Sequence, residues 1–362
     1  MTTKKNILYV NYLTESVLEK RYSFKIDIYM KKYLEKIANI VNITDLDKCD
    51  LTPYELIIIN TLCVIPYMTN LDESVINSKL QYVKKHKNIA IFMYDLHEYT
   101  FNRKYLKYNS FMVNGHEMSK PNLNYTNAKK EYMDFFRKYN IKFLISTYDC
   151  PELHYFKKNF KNIKKFYILN HGFCPDIFKP INIDKKYDVL YYGIDTPSVY
   201  PVRVKLLNIC EKMKLRVKKL KYVLPNDPNK QSEEVLCNYI NESWLAIACV
   251  SNYSYFVQKF LEISACNCLV LGNLNKQGKS VLQNNLVEIT NNMKDDDIIK
   301  IILHYLTNKH LILQKIKNNH QNLKKHTYEN VCNNIHKIAN NIIRNDYCEF
   351  EYLNYKNNID KK

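Results

Sequence analysis

The sequence predicts an α/β protein built from two parallel-sheet halves, and three observations carry that prediction. Apolar strand-like runs alternate with amphipathic helical stretches from Asn6 to Tyr94. A breaker cluster, His171-Gly172-Phe173-Cys174-Pro175 through Pro180, then interrupts the pattern, and a new apolar run restarts it at Tyr187–Gly193. At 362 residues the chain is too long for one ordinary core and fits two domains.

The elements follow in order. Asn6–Leu13 reads as the first strand. Phe24–Ile40 reads as an amphipathic helix with Ile26, Tyr29, Met30, Leu34 and Ile37 on or near one face. Val41–Ile43 is a weak strand and Glu55–Val64 (ELIIINTLCV) a buried one. Leu71–Lys87 has helical spacing, and Ile89–Tyr94 is a third strong strand. Alternation at these lengths describes a parallel α/β half. The third strand runs into Asp95-Leu96-His97-Glu98. Ligands of open α/β sheets gather at the carboxyl ends of strands, so this cluster is a candidate site. An ordinary polar loop explains it equally well. Phe101–Asn124, with Asn114-Gly115-His116-Glu117, reads as an insertion or a mobile loop. A helix over Asn127–Tyr139, a strand over Ile141–Ser146, a helix over Cys150–Phe160 and a strand over Lys165–Leu169 complete the half.

In the second half, Tyr187–Gly193 is a strand ending in glycine, and Tyr200–Leu215 is a helix with Arg203 in its first turn. Val217–Val223 and Trp244–Val250 are strands flanking a helix over Gln231–Ile240. Phe256–Ala265 is a short helix whose apolar stripe is Phe256, Phe260 and Ile263. Lys259 and Glu262, three residues apart, share another edge of it. Cys268–Leu271 is a continuous apolar run, as suits a parallel strand buried on both faces. Gly278 and Ser280 open a short helix, and Leu286–Ile289 is the last strand. Helices over Asp295–Leu306, Leu311–Lys325 and Tyr328–Ile343 precede a polar tail.

Composition narrows the class. Hydrophobic residues make up 46% and charged residues 25%, as in soluble globular proteins, and no apolar run approaches the roughly 20 residues of a membrane span. The eleven cysteines are scattered without a Cys-x-x-Cys pair, which predicts free buried thiols in a reducing, cytoplasmic compartment rather than a zinc site. The net charge of +18 suits an anionic partner, whether nucleic acid, a sugar nucleotide or an anionic surface. The abundance of Lys, Asn, Ile and Tyr beside scarce Gly, Ala and Arg explains much of it as composition alone. Glycine-rich dinucleotide and P-loop signatures are absent, which argues against a dehydrogenase or a P-loop enzyme.

Gln258–Asn273 (QKFLEISACNCLVLGN) resembles the signature helix and strand of GT-B glycosyltransferases, (K/R)-x-x-E-A-x-A-x-G-x-x-V, and is closest to the glycosyltransferase group 1 / spore-protein-like branch. His171–Pro180 is similar to the family's interdomain segment, with Cys174 where Asp is usual. Gly193 followed by Arg203 is the third landmark. The resemblance covers roughly Leu169–Ile343. It implies two Rossmann-like domains facing across a cleft, with the C-terminal helix returning to the first. The boundaries are 1–170 for an acceptor-side domain, 171–180 for the crossover, 181–327 for a donor-binding domain, and 328–362 for the helix and tail.

The activity so implied is metal-independent sugar transfer from a nucleoside-diphosphate sugar to an unknown glycan, protein or lipid acceptor, with no further cofactor. Gly193, Arg203, Lys259 and Glu262 would bind the donor, the cations at the diphosphate and Glu262 at ribose hydroxyls. If transfer is inverting, Asp95 and His97 are the candidate bases, with His116 behind them. The chain departs from many retaining members at Ser254, where they carry a second glutamate, and at Asn267, where they carry glycine. Those departures keep a non-catalytic nucleotide-binding or structural role open. Nucleic-acid binding, including sugar transfer onto DNA bases, ranks last, since no recognition helix, zinc finger or RNA-binding aromatic signature accompanies the charge.

Overall fold

The structure, a computed structural model, describes residues 6–12, 25–64, 71–93, 106–113, 116–123, 125–193, 196–197, 199–220, 232–252, 254–283 and 285–345. The chain divides into two compact units. Met1–Asn109, Ser119–Asn170 and Tyr328–Lys362 form one, and Ser110–Met118 with His171–Thr327 form the other.

In the first unit the strands are β1 (Ile7–Asn11), β2 (Asn39–Asn42), β3 (Leu56–Asn60), β4 (Ile89–Met93), β7 (Phe143–Ser146) and β8 (Lys165–Ile168), the labels β5 and β6 going to a separate pair given below. They pair in parallel in the order β2-β1-β3-β4-β7-β8. β1, β3, β4 and β7 are buried throughout, as expected of parallel strands covered on both faces. The order reverses between β1 and β3. At the carboxyl ends of those two strands Asn60 Nδ2 donates to Asn11 Oδ1 at 3.3 Å, both residues being buried.

The helices of this unit are α1 (Lys25–Ile37), α2 (Glu73–Val83), α3 (Tyr125–Lys138), α4 (Pro151–Asn159) and the C-terminal helix Tyr328–Ile343. That last helix packs on α1. Tyr328 stacks on Tyr29 with ring centroids 5.7 Å apart, and Cys332 Sγ donates to the Met30 carbonyl at 3.8 Å. The expected return of the C-terminus to the first half is therefore present.

Two stretches differ from expectation. ELIIINTLCV is a strand only to Asn60. A short 3₁₀ turn follows over Thr61–Val64, where Thr61 Oγ1 donates to the Phe92 carbonyl and Cys63 Sγ to the Asn60 carbonyl. Side-chain hydrogen bonds of this kind offer the backbone an alternative to the ladder. Phe101–Asn124, read as an insertion or a mobile loop, carries β5 (Leu106–Val113) and β6 (His116–Leu123), which pair as a small sheet of their own. The intervening Asn114-Gly115 dipeptide is a strong hairpin signal that the mixed apolar pattern obscured.

The second unit carries β9 (Tyr187–Tyr192), α5 (Pro201–Lys212), β10 (Val217–Leu220), α6 (Glu233–Asn241), β11 (Ser243–Ile247), α7 (Lys259–Ala265), β12 (Leu269–Gly272), α8 (Lys276–Leu282), β13 (Val287–Glu288), α9 (Asp295–Thr307) and α10 (Lys309–Leu323). The strands pair in parallel in the order β10-β9-β11-β12-β13. The apolar run at β12 is indeed buried on both faces. Cys268 and Val270 join the core containing Phe256, Phe260 and Ile263, while Leu269 and Leu271 join the one containing Leu206 and Ile302. Gly272 ends this strand against β11. A methyl group there would lie 1.8 Å from the Ala248 carbonyl oxygen, so only glycine permits the approach.

Asn241, fully buried at the end of α6, knits the crossover to the turn after α7. Its Oδ1 accepts from Ile181 N–H at 3.0 Å and Asn267 N–H at 2.9 Å. Its Nδ2 donates to the Lys179 carbonyl at 3.1 Å and the Cys237 carbonyl at 2.9 Å. Asn267 itself donates from Nδ2 to the Ile181 carbonyl at 3.1 Å, a bond no glycine could supply. Among the described residues, no helix is long and apolar enough to cross a membrane.

Candidate functional site

In the second sheet the strand order reverses between β9 and β11, and open α/β sheets bind ligands at the carboxyl ends of the strands flanking such a switch point. Gly193 occupies that position, directly after β9, with φ +96°. A β-carbon there would meet Lys259 Nζ at 2.5 Å and Arg203 Nη1 at 3.6 Å. Three of the four residues predicted to bind a donor thus converge on one point from three elements. Gly193 follows β9, Arg203 sits in the first turn of α5, and Lys259 opens α7.

The fourth, Glu262, lies one helical turn beyond Lys259 and is 2% exposed. Gln258 Nε2 donates to its Oε1 at 2.9 Å, and the Tyr192 hydroxyl donates to its Oε2 at 3.4 Å. The carboxylate is therefore held at both oxygens.

Lys259 Nζ donates to the Tyr192 carbonyl and sits 4.0 Å from the centroid of the Tyr192 ring. Burial, and next the Arg203 guanidinium, hold its ammonium well below the usual lysine range, while Glu262 and Cys249 act in the opposite sense. Arg203 is 3% exposed, with its guanidinium 3.6 Å from the centroid of the Tyr200 ring. Two cations and one carboxylate are thus gathered at a strand end with no side chain on Gly193 to block the approach. Such a constellation can take an anion at the cations and hydroxyl groups at the carboxylate.

The helical stripe behind the site matches expectation. Phe256 and Phe260 are fully buried and stacked, ring centroids 5.0 Å apart, and Ile263 is buried beside them. Regular helix begins at Lys259 rather than Phe256. Ser254, upstream, has φ +63°, and its carbonyl accepts from Asn275 Nδ2.

Asp95 and His97 lie outside the described residues. His116 falls in β6, and its side chain is not among those described. Among the described residues, no group of three His, Cys, Asp or Glu side chains could hold a metal ion. Tyr192, Gln258 and Tyr200 were not singled out in the sequence. Gln258 stands four residues before Glu262, so helical spacing alone pointed to it. Tyr200 stands three before Arg203.

No family model matches the sequence, and no curated protein matches it. Solved structures do match. HepE from Anabaena, in complex with UDP and glucose, is 11% identical with a TM-score of 0.54, covering 92% of this chain and 99% of that one. An α-glucosyltransferase in complex with UDP-glucose and DNA containing an abasic site is 10% identical with a TM-score of 0.52, covering 92% and 98%. Sucrose-phosphate synthase from Thermosynechococcus elongatus is 12% identical with a TM-score of 0.51, covering 92% and 81%. The likeness is one of fold, and that fold is GT-B.

Proposed function

We propose that the chain is a glycosyltransferase that moves a sugar from a nucleoside-diphosphate sugar to an acceptor. The observation that carries this reading is the convergence of Lys259, Arg203 and the bare Gly193 backbone beside a doubly held Glu262 at the switch point of the second sheet. A departing nucleoside diphosphate gathers negative charge, and preorganised cations in a partly desolvated site stabilise that charge as it develops. Lys259 and Arg203 take that role here without a metal. Glu262 accepts hydrogen bonds from the ribose hydroxyls. The HepE and α-glucosyltransferase structures hold UDP, glucose or UDP-glucose, which makes UDP-hexoses the first donors to try.

In this reading residues 181–327 bind the donor and residues 1–170 meet a glycan, protein or lipid acceptor. Asp95 and His97 are the candidate bases, and no cofactor beyond the donor is required. A cytoplasmic setting agrees with the ten described cysteines, all free.

The test is donor hydrolysis and transfer with a panel of nucleotide sugars, together with calorimetric binding of UDP. Release of UDP that Glu262→Ala abolishes supports the proposal. A folded protein that neither turns over nor binds any nucleotide sinks it. A second reading, nucleotide binding without transfer, is favoured by one observation. The left-handed Ser254, whose carbonyl is tied to Asn275, stands where many retaining relatives in the resembled family carry a glutamate. UDP binding with no turnover across the panel would select it.

A further inference from the structure

Tyr192 touches both halves of the candidate donor site. Its carbonyl accepts from Lys259 Nζ, its ring lies 4.0 Å from that same nitrogen, and its hydroxyl donates to Glu262 Oε2 at 3.4 Å. The residue is 8% exposed, ends β9 and immediately precedes Gly193. Its partners stand 67 and 70 residues away in sequence, on one face of α7.

We propose that Tyr192 is a positioning residue that sets the diphosphate-binding ammonium and the ribose-binding carboxylate at a fixed separation, so that the two ends of one nucleoside diphosphate are met together. This rests on the donor-site reading above. The face of an aromatic ring attracts a cation, most strongly where water is excluded. The Tyr192 ring therefore favours the charged form of Lys259 against burial and the neighbouring Arg203. The other groups that face Lys259 are Cys249, from the segment after β11, and Glu262 on its own helix. A carboxylate held from two sides offers its free lone pairs in one direction, which is what discrimination between ribose and deoxyribose requires.

The hydroxyl and the ring are separable by substitution. Tyr192→Phe keeps the ring and the backbone carbonyl and removes the hydroxyl, and with it the bond to Glu262. Tyr192→Leu removes the ring as well. Two measurements read the two arms. The first is the pH dependence of Lys259 acetylation by trace acetic anhydride, in the ligand-free protein, quantified by mass spectrometry. The second is calorimetric binding of UDP against 2′-deoxy-UDP.

The expected results differ between the variants. Tyr192→Phe leaves the acetylation midpoint unchanged, weakens UDP about tenfold and narrows its advantage over 2′-deoxy-UDP. Tyr192→Leu in addition moves the acetylation midpoint to lower pH, and UDP binding then fades at lower pH than in the wild type. The inference is overturned if the Leu variant titrates like the wild type, or if both variants weaken the two nucleotides equally. Equal weakening is what a purely structural residue would give. If the wild type binds no nucleoside diphosphate but the acetylation midpoint moves as expected, the donor-site reading has failed and the Tyr192–Lys259 link stands.

Discussion

Gly193 and Lys259 approach so closely that one methyl group on Gly193 would stand 2.5 Å from Lys259 Nζ. With φ at +96°, the backbone also occupies a region that side chains strain to adopt. Gly193→Ala should therefore cost about 1–3 kcal/mol of stability and displace the ammonium from its place. Thermal unfolding should show a drop of several degrees, and UDP affinity measured by calorimetry should fall at least about tenfold, the equivalent of about 1.4 kcal/mol.

Glu262 and its two donors give a sharper expectation. Glu262→Gln keeps the shape and can still meet Gln258 and Tyr192, but it presents an amide where two ribose hydroxyls need acceptors. Affinity for UDP should fall about tenfold, as for loss of one charge-assisted hydrogen bond. Glu262→Ala should fall further and bind UDP and 2′-deoxy-UDP alike. Titration of both nucleotides into both variants checks this, and an undiminished preference for the ribonucleotide in Glu262→Ala would count against the assignment.

His326, in the short turn before the C-terminal helix, is buried, and burial with help from Lys325 pushes its imidazole down from 6.5 to about 4. The unfolded chain then takes up a proton in the window from about 6.5 down to about 4 that the folded chain refuses. Stability is present above that window and is lost as pH falls through it. The loss should reach about 2 kcal/mol between pH 7.5 and pH 5. Urea unfolding at the two pH values should show it, and His326→Gln should remove most of the difference.

Asn241 satisfies four backbone groups at once, two with its oxygen and two with its nitrogen. Asn241→Leu removes all four bonds, one fully buried and three partly buried. The expected cost is about 3 kcal/mol or more. Chemical denaturation should report a lower midpoint with an unchanged slope.

Much of the frame was legible because it rests on local pattern. The apolar runs at Leu56–Ile59 and Ile89–Met93 are short and rich in β-branched isoleucine, as suits parallel strands covered on both faces, and that is what they form. Phe256, just before α7, with Phe260 and Ile263 marked its apolar packing edge, which left Lys259 and the likewise buried Glu262 on another edge. Tyr192 was not legible. A tyrosine closing an apolar strand reads equally well as core, and its partners lie 67 and 70 residues away. Only the fold brings them together. The hairpin over β5 and β6 was missed for a different reason, since its residues alternate too irregularly to reveal a period of two.

All the residues assigned to the donor grip fall between Tyr192 and Glu262, and all belong to the second unit. The proposed grip therefore occupies one contiguous stretch of the chain. Recombination that exchanged everything before His171 would leave it whole. Under the proposed function, the handling of the donor can be inherited as a single block, while the acceptor side is free to diverge under separate selection.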